Sequence, residues 1–439
     1  MNGCSLLCQV ITPMFIAGAD SRTPELRPSE FKGMMRFWWR AIRAESDIDK
    51  LKKEEAEIFG GAGEKEGKSK VRIKVIPQRA HQFIGWNLKN DYGLDWHFDK
   101  DTQSLAGKDA GIGYLLYSTV LPRQERKFIK DGFEFNIELS SFDEKSFKNA
   151  IASLWASIYL GGFGTRARRG GGNIIVKKIE GETYGINFIP KGSSSDEIFN
   201  WLKGNLHKCF EIVRGGLPSN FVSEYSNLSF SRIIISNQLF PNWKDALNNI
   251  GKIYLDFRKE HKSNVLDTAV FGLPRKHAIA EKGNIKINRR SSPLIFKLIK
   301  TINGFAWLVI RLSSEFLEEG TIIKAGSRIQ KPDYKLIDEF WNELKNKGKE
   351  YILSQPKILN NIIHKIEKQI LPKKIILFGS RARGDAHRNA DIDIAVESGK
   401  FIGGIDIIAP IDIVDLKKAN KELKEKIERE GIIIYERKG

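Results

Sequence analysis

Three cysteines in 439 residues are too few, and odd in number, for a disulfide framework, and Cys4, Cys8 and Cys209 lack the paired spacing of a zinc site. Buried or inert thiols are expected instead. Histidine is also scarce, at seven residues: His81 and His97 sit in a polar, aromatic-rich section with no second ligand at metal spacing, and both read as structural or exposed. No run of about 18 apolar residues is present to span a bilayer. The start Met1-Asn2-Gly3-Cys4 has neither the charged nor the apolar region of a signal peptide. A cytoplasmic protein without a membrane partner is the expectation. Acidic residues are in deficit, 54 Asp and Glu against 72 Lys and Arg, which leaves a formal net charge of +18. That excess favours a polyanionic partner, nucleic acid before an acidic membrane, because neutralising phosphates releases counterions. The length exceeds one ordinary core and implies two or three domains.

Glycine and arginine, by contrast, are concentrated in one stretch, Gly161-Gly162-Phe163-Gly164-Thr165-Arg166-Ala167-Arg168-Arg169-Gly170-Gly171-Gly172-Asn173. Glycines such as Gly164 tolerate positive φ and leave backbone N–H groups open to close approach. Arg166, Arg168 and Arg169 supply planar forks that match phosphate oxygens. The spacing of Ile151, Leu154, Trp155 and Ile158 predicts a helix over 142–160 before the loop, and Ile174-Ile175-Val176 predicts a strand after it. The stretch reads as a backbone clamp for a polyanion. The other reading is a flexible surface loop whose arginines only keep it soluble.

Upstream, 6–11 is apolar enough for a strand that Thr12-Pro13 ends. The run 34–43 has the pattern of a helix with Arg36, Arg40 and Arg43 on one face and Met34, Phe37, Trp38 and Ala41 turned mainly the other way. Its basic face is either solvated or bound to nucleic acid, and Trp39 is core or a base-stacking platform, with core preferred. A helix over 53–59, a loop over 64–70, and strands over 71–75 and 133–139 follow. Strand, helix, glycine loop, strand makes a split β–α–β element of the ferredoxin-like kind. A hinge is expected at 192–196, then helices over 199–214 and 243–261, strands over 285–288, 294–299 and 306–312, and a closing helix over 331–347. Arg289 and Arg290 flank a strand end, where they reach RNA or serve as surface charge.

From about Ser354 the character changes. A helix over 358–370 and a buried-type strand over 373–378 lead into Gly379-Ser380-Arg381-Ala382-Arg383-Gly384-Asp385. A second strand, 391–396, would turn Asp391 and Asp393 to one face while Ile392 and Ile394 enter the core. Hard oxygen ligands grouped in this way suit Mg²⁺. Asp412 fits a third carboxylate on a neighbouring strand, with Asp415 the weaker candidate. Gly379 and Ser380 can offer a backbone N–H and a hydroxyl to phosphates, and Arg381 or Arg383 can add charge.

Two resemblances follow from these residues. Thr12-Pro13 with Gly18-Ala19-Asp20, Glu25-Leu26-Arg27-Pro28 running into Phe31-Lys32-Gly33 and Arg36-Phe37-Trp38-Trp39-Arg40, Ile58-Phe59-Gly60, the 161–172 loop, Val270-Phe271-Gly272-Leu273-Pro274 and Arg289-Arg290-Ser291-Ser292-Pro293-Leu294 together resemble subunit one of the type III-B CRISPR Cmr complex, within the RAMP superfamily. The likeness covers residues 1–350. It implies RRM-like modules with a glycine-rich loop, and a protein of antiviral defence that caps an RNA-bound backbone. Its implied partners are guide RNA (crRNA), target RNA and other Cmr subunits. The family subunit is a binder and not the nuclease, so no catalytic residue comes from it. The pattern Gly-Ser-x-Ala-Arg-Gly, Asp-x-Asp and a later Asp is similar to the minimal nucleotidyltransferases related to DNA polymerase β, over residues 355–439. One departure is Ala390, where that family usually has serine. This likeness implies Mg²⁺ or Mn²⁺ on Asp391, Asp393 and Asp412, and an NTP held at Gly379, Ser380 and Arg383.

The expected fold class is α+β: two ferredoxin-like (RRM-like) RAMP modules, 1–190 and 191–350, followed by a small α/β nucleotidyltransferase-fold domain, 355–439. The expected RNA contacts are Arg36, Arg40, Arg43, Gly164, Arg166, Arg168, Arg169, Arg289 and Arg290. Two alternatives stand beside this fusion: an RNA-binding subunit with an inactive appendage, and a stand-alone or toxin–antitoxin-type nucleotidyltransferase that modifies a protein.

Overall fold

The computed structural model describes every residue except 19, 21–22, 62, 64–65, 79–82, 121–125, 276, 399–409 and 438–439, so His81 lies outside the described residues. The first sheet takes β1 (Asn2–Val10), β2 (Arg72–Pro77), β3 (Glu134–Ser141) and β4 (Ile174–Gly181), and is served by α1 (Pro28–Arg43), α2 (Ile48–Phe59) and α3 (Glu144–Tyr159). β1 pairs antiparallel with β3 and β4, and β2 pairs with β3, giving the order β2-β3-β1-β4 of a ferredoxin-like module. α1 begins six residues before the expected start because Pro28, pre-set for a helix and lacking an N–H that would go unbonded there, opens its first turn. Its buried residues are Phe31, Met35, Trp38, Trp39, Ala41 and Ile42. Trp39 is core, and its indole N–H donates to Asn149 Oδ1 at 2.7 Å.

The expected hinge at 192–196 is a helix start. Ser194 caps α4 (Ser195–Arg214) by accepting from the Glu197 N–H, and the carboxylate of Glu197 reaches back to Ser193. A Ser-rich tetrapeptide followed by Glu has the composition of a linker and the chemistry of a capping box. Ile198, Leu202, Leu206, Cys209 and Phe210 of α4 are buried in the first core.

The second sheet repeats the first in its order β6-β7-β5-β8, with β5 (Asn227–Ser236), α5 (Trp243–Glu260), β6 (Leu294–Thr301), β7 (Gly304–Ser313), α6 (Lys335–Lys345) and β8 (Gly348–Ser354). Both faces of this sheet are covered. Ile233, Ile235, Ile295, Leu308 and Ile310 join the core of the first module, while Ile234, Phe296, Leu298, Trp307 and Val309 pack in a second core with α5 and α6. The expected limit at 350 cuts through β8, which runs to Ser354.

The third sheet comprises β9 (Lys374–Phe378), β10 (Ile392–Glu397), β11 (Ile411–Asp415) and β12 (Ile432–Glu436), with α7 (Lys357–Ile370), α8 (Gly379–Arg383) and α9 (Lys421–Glu430). Its order is β11-β10-β9-β12, with β10 and β11 parallel and the other pairs antiparallel. Phe230 of β5 belongs to the same buried cluster as Leu359, Ile366, Leu377 and Ile394, so the third core continues into the second sheet. The three cysteines are free and buried, and burial pushes the Cys4 thiol up to about 11. No helix among the described residues is long and apolar enough to cross a membrane.

Candidate functional site

Two places concentrate polar chemistry: one edge of the third sheet, and a cavity between the first two modules. At the sheet edge the strand register makes the arrangement. Phe378, the last residue of β9, lies opposite Asp393, and Asp393 lies beside Asp412 on the parallel strand β11. Asp391 stands one residue before β10. The two-residue period of a strand turns Asp415 to the face opposite Asp412, which removes it from the group. Burial raises the Asp393 carboxyl above its ordinary value, Lys426 of α9 opposes the rise, and Asp412 and Asp391 add to it, as mutually close carboxylates must.

Gly379 sets the other wall. Its φ is +70°, and a Cβ there would run into Asp393 Oδ2. Only glycine lets the turn after β9 lie directly against that carboxylate. Sequence reasoning missed what sits on this turn. The Gly379 N–H donates to Glu430 Oε1 at 3.2 Å, and Arg383 Nη1 donates to Glu430 Oε2 at 2.8 Å. Lys426 stands 3.8 Å from the same carboxylate, which is buried at the end of α9. Arg383 Nε also donates to Asp385 at 3.2 Å. Burial would lower the Arg383 charge, but Asp385 and Glu430 together hold its pKa above the ordinary value. The nucleotide-binding candidates Gly379 and Arg383 are thus bridged by a carboxylate, while Ser380 lines an adjoining cavity. Arg381 is structural, donating to the carbonyls of Arg388 and Ala390 and to Ser223 Oγ.

Among the described residues no three His, Cys, Asp or Glu side chains already form a group able to hold a metal. Two in-register carboxylates against a glycine cradle nevertheless fit Mg²⁺, which dehydrates reluctantly and is held by one or two carboxylates together with substrate phosphates.

The turn is anchored from outside its own sheet. Arg232 of β5 and Arg311 of β7 are cross-strand neighbours. Arg232 donates to Ala382 O at 3.1 Å, and Arg311 to Arg383 O, gripping the last carbonyls of α8. Their charges are met by Glu350 at 3.1 Å and Asp338 at 2.6 Å. Burial pushes the Arg232 pKa down to about 10. Ser314 N donates to Gly384 O at 3.2 Å, and His387 pairs with Glu315 at 2.7 Å.

The second place is a cavity of about 970 Å³ lined by the glycine–arginine loop, by Phe37 and Trp38 of α1, and by 271–274 and 289–292. The expected row of open N–H groups is corrected here. Those of Phe163, Thr165, Gly171, Gly172 and Asn173 donate to Gly172 O, Phe15 O, Arg166 O, Pro13 O and Thr12 Oγ1. The glycines serve this close backbone packing: Gly164 has φ +84°, and a Cβ on it would lie 2.5 Å from Phe15 O. The loop also docks on the second module. Phe296 N donates to Arg168 O, and the buried Lys297, pushed down to about 7 by burial, donates to Gly161 O at 2.6 Å.

The arginines divide accordingly. Arg168 donates to Ser292 O, Arg169 to Leu294 O and Phe271 O, and Arg290 to Phe316 O and Glu315 O, so these three are structural ties. Arg289 is exposed, and Arg166 Nε is buried without a partner. Burial, then Arg169 and Arg290, push Arg168 down to about 10, the signature of positive charge gathered without a matching anion. On α1, the expected basic face is engaged with α2: Arg36 and Arg40 pair with Glu55, and Arg43 with Glu54 at 2.6 Å. The acidic partners lie at i and i+1 of a helix that sequence periodicity leaves pointing anywhere.

Residues 7–175 match the RAMP superfamily, and residues 360–439 match the family described as polymerase beta, nucleotidyltransferase. The CRISPR system Cmr subunit Cmr1-2 of Pyrococcus furiosus is 35% identical over 185 residues, covering 39% of this chain and 93% of that protein. Cmr1-1 of the same organism is 30% identical over 288 residues, covering 63% of this chain and 77% of the relative. The crystal structure of apo Cmr1 from Pyrococcus furiosus superposes with a TM-score of 0.56 at 23% identity, over 81% of this chain and 99% of that one, a likeness of fold.

Proposed function

Because the chain belongs to the Cmr1 family of RAMP proteins and carries a polymerase-β-type nucleotidyltransferase domain, we propose that it is an RNA-binding subunit of a type III-B Cmr effector complex with a fused, metal-dependent nucleotidyltransferase. RNA binding is assigned to the part up to Ser354, with guide or target RNA and other Cmr subunits as partners, and transfer to the part from Lys357. The observation that carries this reading is the occurrence in one chain of an arginine-lined cavity with no carboxylate among its described lining residues and an in-register Asp393–Asp412 pair beside a glycine turn.

The reaction is nucleotidyl transfer. An acceptor hydroxyl or amine attacks the α-phosphorus of an NTP: the new O–P or N–P bond forms, the bond from the α-phosphorus to the α–β bridging oxygen breaks, pyrophosphate leaves with that oxygen, and the acceptor's proton passes to a carboxylate of the Asp391, Asp393 and Asp412 group. Asp393 and Asp412, with Asp391 beside them, would hold a divalent ion, Mg²⁺ or Mn²⁺, which when bound would supply charge neutralisation at the phosphates. Ser380 and Lys426 orient the triphosphate, and the raised Asp393 carboxyl favours higher pH for ion binding. Glu430 must release the Gly379 N–H before a phosphate oxygen can take its place. That occupied seat, with no preformed three-ligand metal group among the described residues, favours the second reading, an RNA-binding subunit with a silent domain; Mg²⁺-dependent binding of a triphosphate decides against it.

The RNA half is tested by the pair Arg166→Gln and Arg289→Gln. Each lost phosphate contact is expected to lower the salt slope of binding by about 0.7 on single-stranded RNA, weakening all sequences alike. Filter binding at a series of salt concentrations reads this out. An unchanged slope and affinity would remove the cavity from the RNA path. Arg168 and Arg169 are unsuitable for that test, since their loss opens backbone ties.

A further inference from the structure

The indole of Trp86 is 64% exposed on a segment whose backbone is fixed. Its main-chain N–H donates to Asp91 Oδ2 at 2.8 Å, and Asp91 is paired with Lys130 at 2.8 Å. The two residues before it, Ile84 and Gly85, pair with Ile129 and Phe128 in a short antiparallel ladder. A Cβ on Gly85 would strike the Phe128 ring, so glycine lets the ladder lie flat against that ring. Phe128 is wholly buried and meets Phe15, whose carbonyl also accepts from the Thr165 N–H of the glycine–arginine loop. The ladder and the loop thus share one backing.

Arg126 joins them at the mouth of the arginine-lined cavity. Its guanidinium donates to Thr165 Oγ1 at 3.1 Å, and its backbone N–H donates to Thr119 O at 3.1 Å. Two residues before Thr119, Tyr117 is 43% exposed, and Ser118 between them lines that cavity. Lys127, next to Arg126, lies over the Trp86 ring at 3.6 Å. Two exposed rings and two cations therefore carry the lining of the cavity to the outside. The rings offer flat faces to bases and the cations answer a phosphate chain, which is the composition of a stacking platform for a single strand. A duplex keeps its base faces covered and presents nothing to such rings. An exposed cation–π contact is weaker than base–aromatic stacking, so a base can take the Lys127 position and release the ammonium to a phosphate.

We propose that single-stranded RNA leaving the arginine-lined cavity stacks bases on Trp86 and Tyr117, with its phosphates against Arg126 and Lys127. The inference rests on the RNA-binding reading above and deepens it: the strand is held at this exit by its base faces as well as by its charge, without regard to sequence. All four residues lie between β2 and β3 in the chain, outside the sheet itself.

Fluorescence anisotropy of the full chain with a labelled oligoribonucleotide, as a single strand and as a duplex, tests this. Trp86→Ala and Tyr117→Ala are each expected to weaken binding of the single strand about tenfold at every salt concentration. The slope of affinity against salt should stay that of the wild type, because no phosphate contact is removed, and the duplex should bind as before. Trp86→Phe keeps a ring and should recover most of the loss. Melting curves check that the variants fold. Ring variants that bind the single strand like the wild type, or that lose single strand and duplex alike, would overturn the proposal. If Arg166→Gln and Arg289→Gln lower the salt slope while the ring variants change nothing, only the platform falls. If the chain binds no RNA at all, the RNA-binding reading falls and takes the platform with it.

Discussion

Replacing Arg311 with methionine is expected to destabilise the protein by about 3–5 kcal/mol, because the change strands a buried carboxylate. Arg311 and Asp338 are 2% and 6% exposed at their side chains and 2.6 Å apart. The methionine fills the volume but leaves Asp338 without its charge partner and frees the carbonyl of Arg383. Two consequences separate this from simple loss of packing. The double change Arg311→Met, Asp338→Leu should recover most of the stability, since the unpaired charge is then gone. The single variant should also lose nucleotidyl transfer before it loses RNA binding, because the Gly379 turn is held by Arg311 and Arg232 while the arginine-lined cavity is not. Denaturant unfolding of both variants reads the first point. A double variant as unstable as the single one would show that the pair acts through something other than its charges.

Gly379→Ala should cut transfer by on the order of 10²-fold with RNA affinity unchanged. Two independent causes converge at this residue. Its φ of +70° is strained for alanine, and the added Cβ occupies the position of Asp393 Oδ2, so either the turn or the carboxylate must move. Displacements of about 1 Å at reacting groups are enough for a loss of that size. Steady-state transfer rates for wild type and variant, with melting curves as a control on folding, decide it. An unchanged rate would mean that the Asp393 carboxylate does not work from the position beside this turn.

Much of the architecture was legible because its strands are half-exposed or its helices amphipathic. β3 alternates buried and open positions from Glu134 to Ser141, and α3 and α5 carry apolar residues at helical spacing. β5 escaped for the opposite reason: all ten of its residues are buried, since one face meets the first module and the other α5, so no alternation is imprinted on it. β8 escaped because its polar beginning, Gly348-Lys349-Glu350, carries no apolar alternation, while Glu350 is in fact the half-buried partner of Arg232. The carboxylates Asp391, Asp393 and Asp412 were legible from a two-residue period and a motif. Glu430 was not, since nothing local distinguishes one more glutamate at the end of a charged helix; only the fold brings it to the Gly379 N–H. The same limit applied to α1, whose three arginines formed a visible stripe while the glutamates that engage them lie on the next helix. Of the loop arginines the sequence could show the charge but not which heads are tied to carbonyls of the second module.

The union of an RNA-binding Cmr1-type body with a working nucleotidyltransferase is tested most directly by the transfer of label from each α-labelled NTP. The assay needs Mg²⁺ or Mn²⁺, guide RNA and Cmr partners, with the wild type and Asp393→Asn side by side. The expected result is label on RNA or on protein with the wild type, and its loss by roughly 10²–10³-fold in Asp393→Asn, while both chains bind RNA equally. No label from any NTP under these conditions, or equal label with Asp393→Asn, would contradict it.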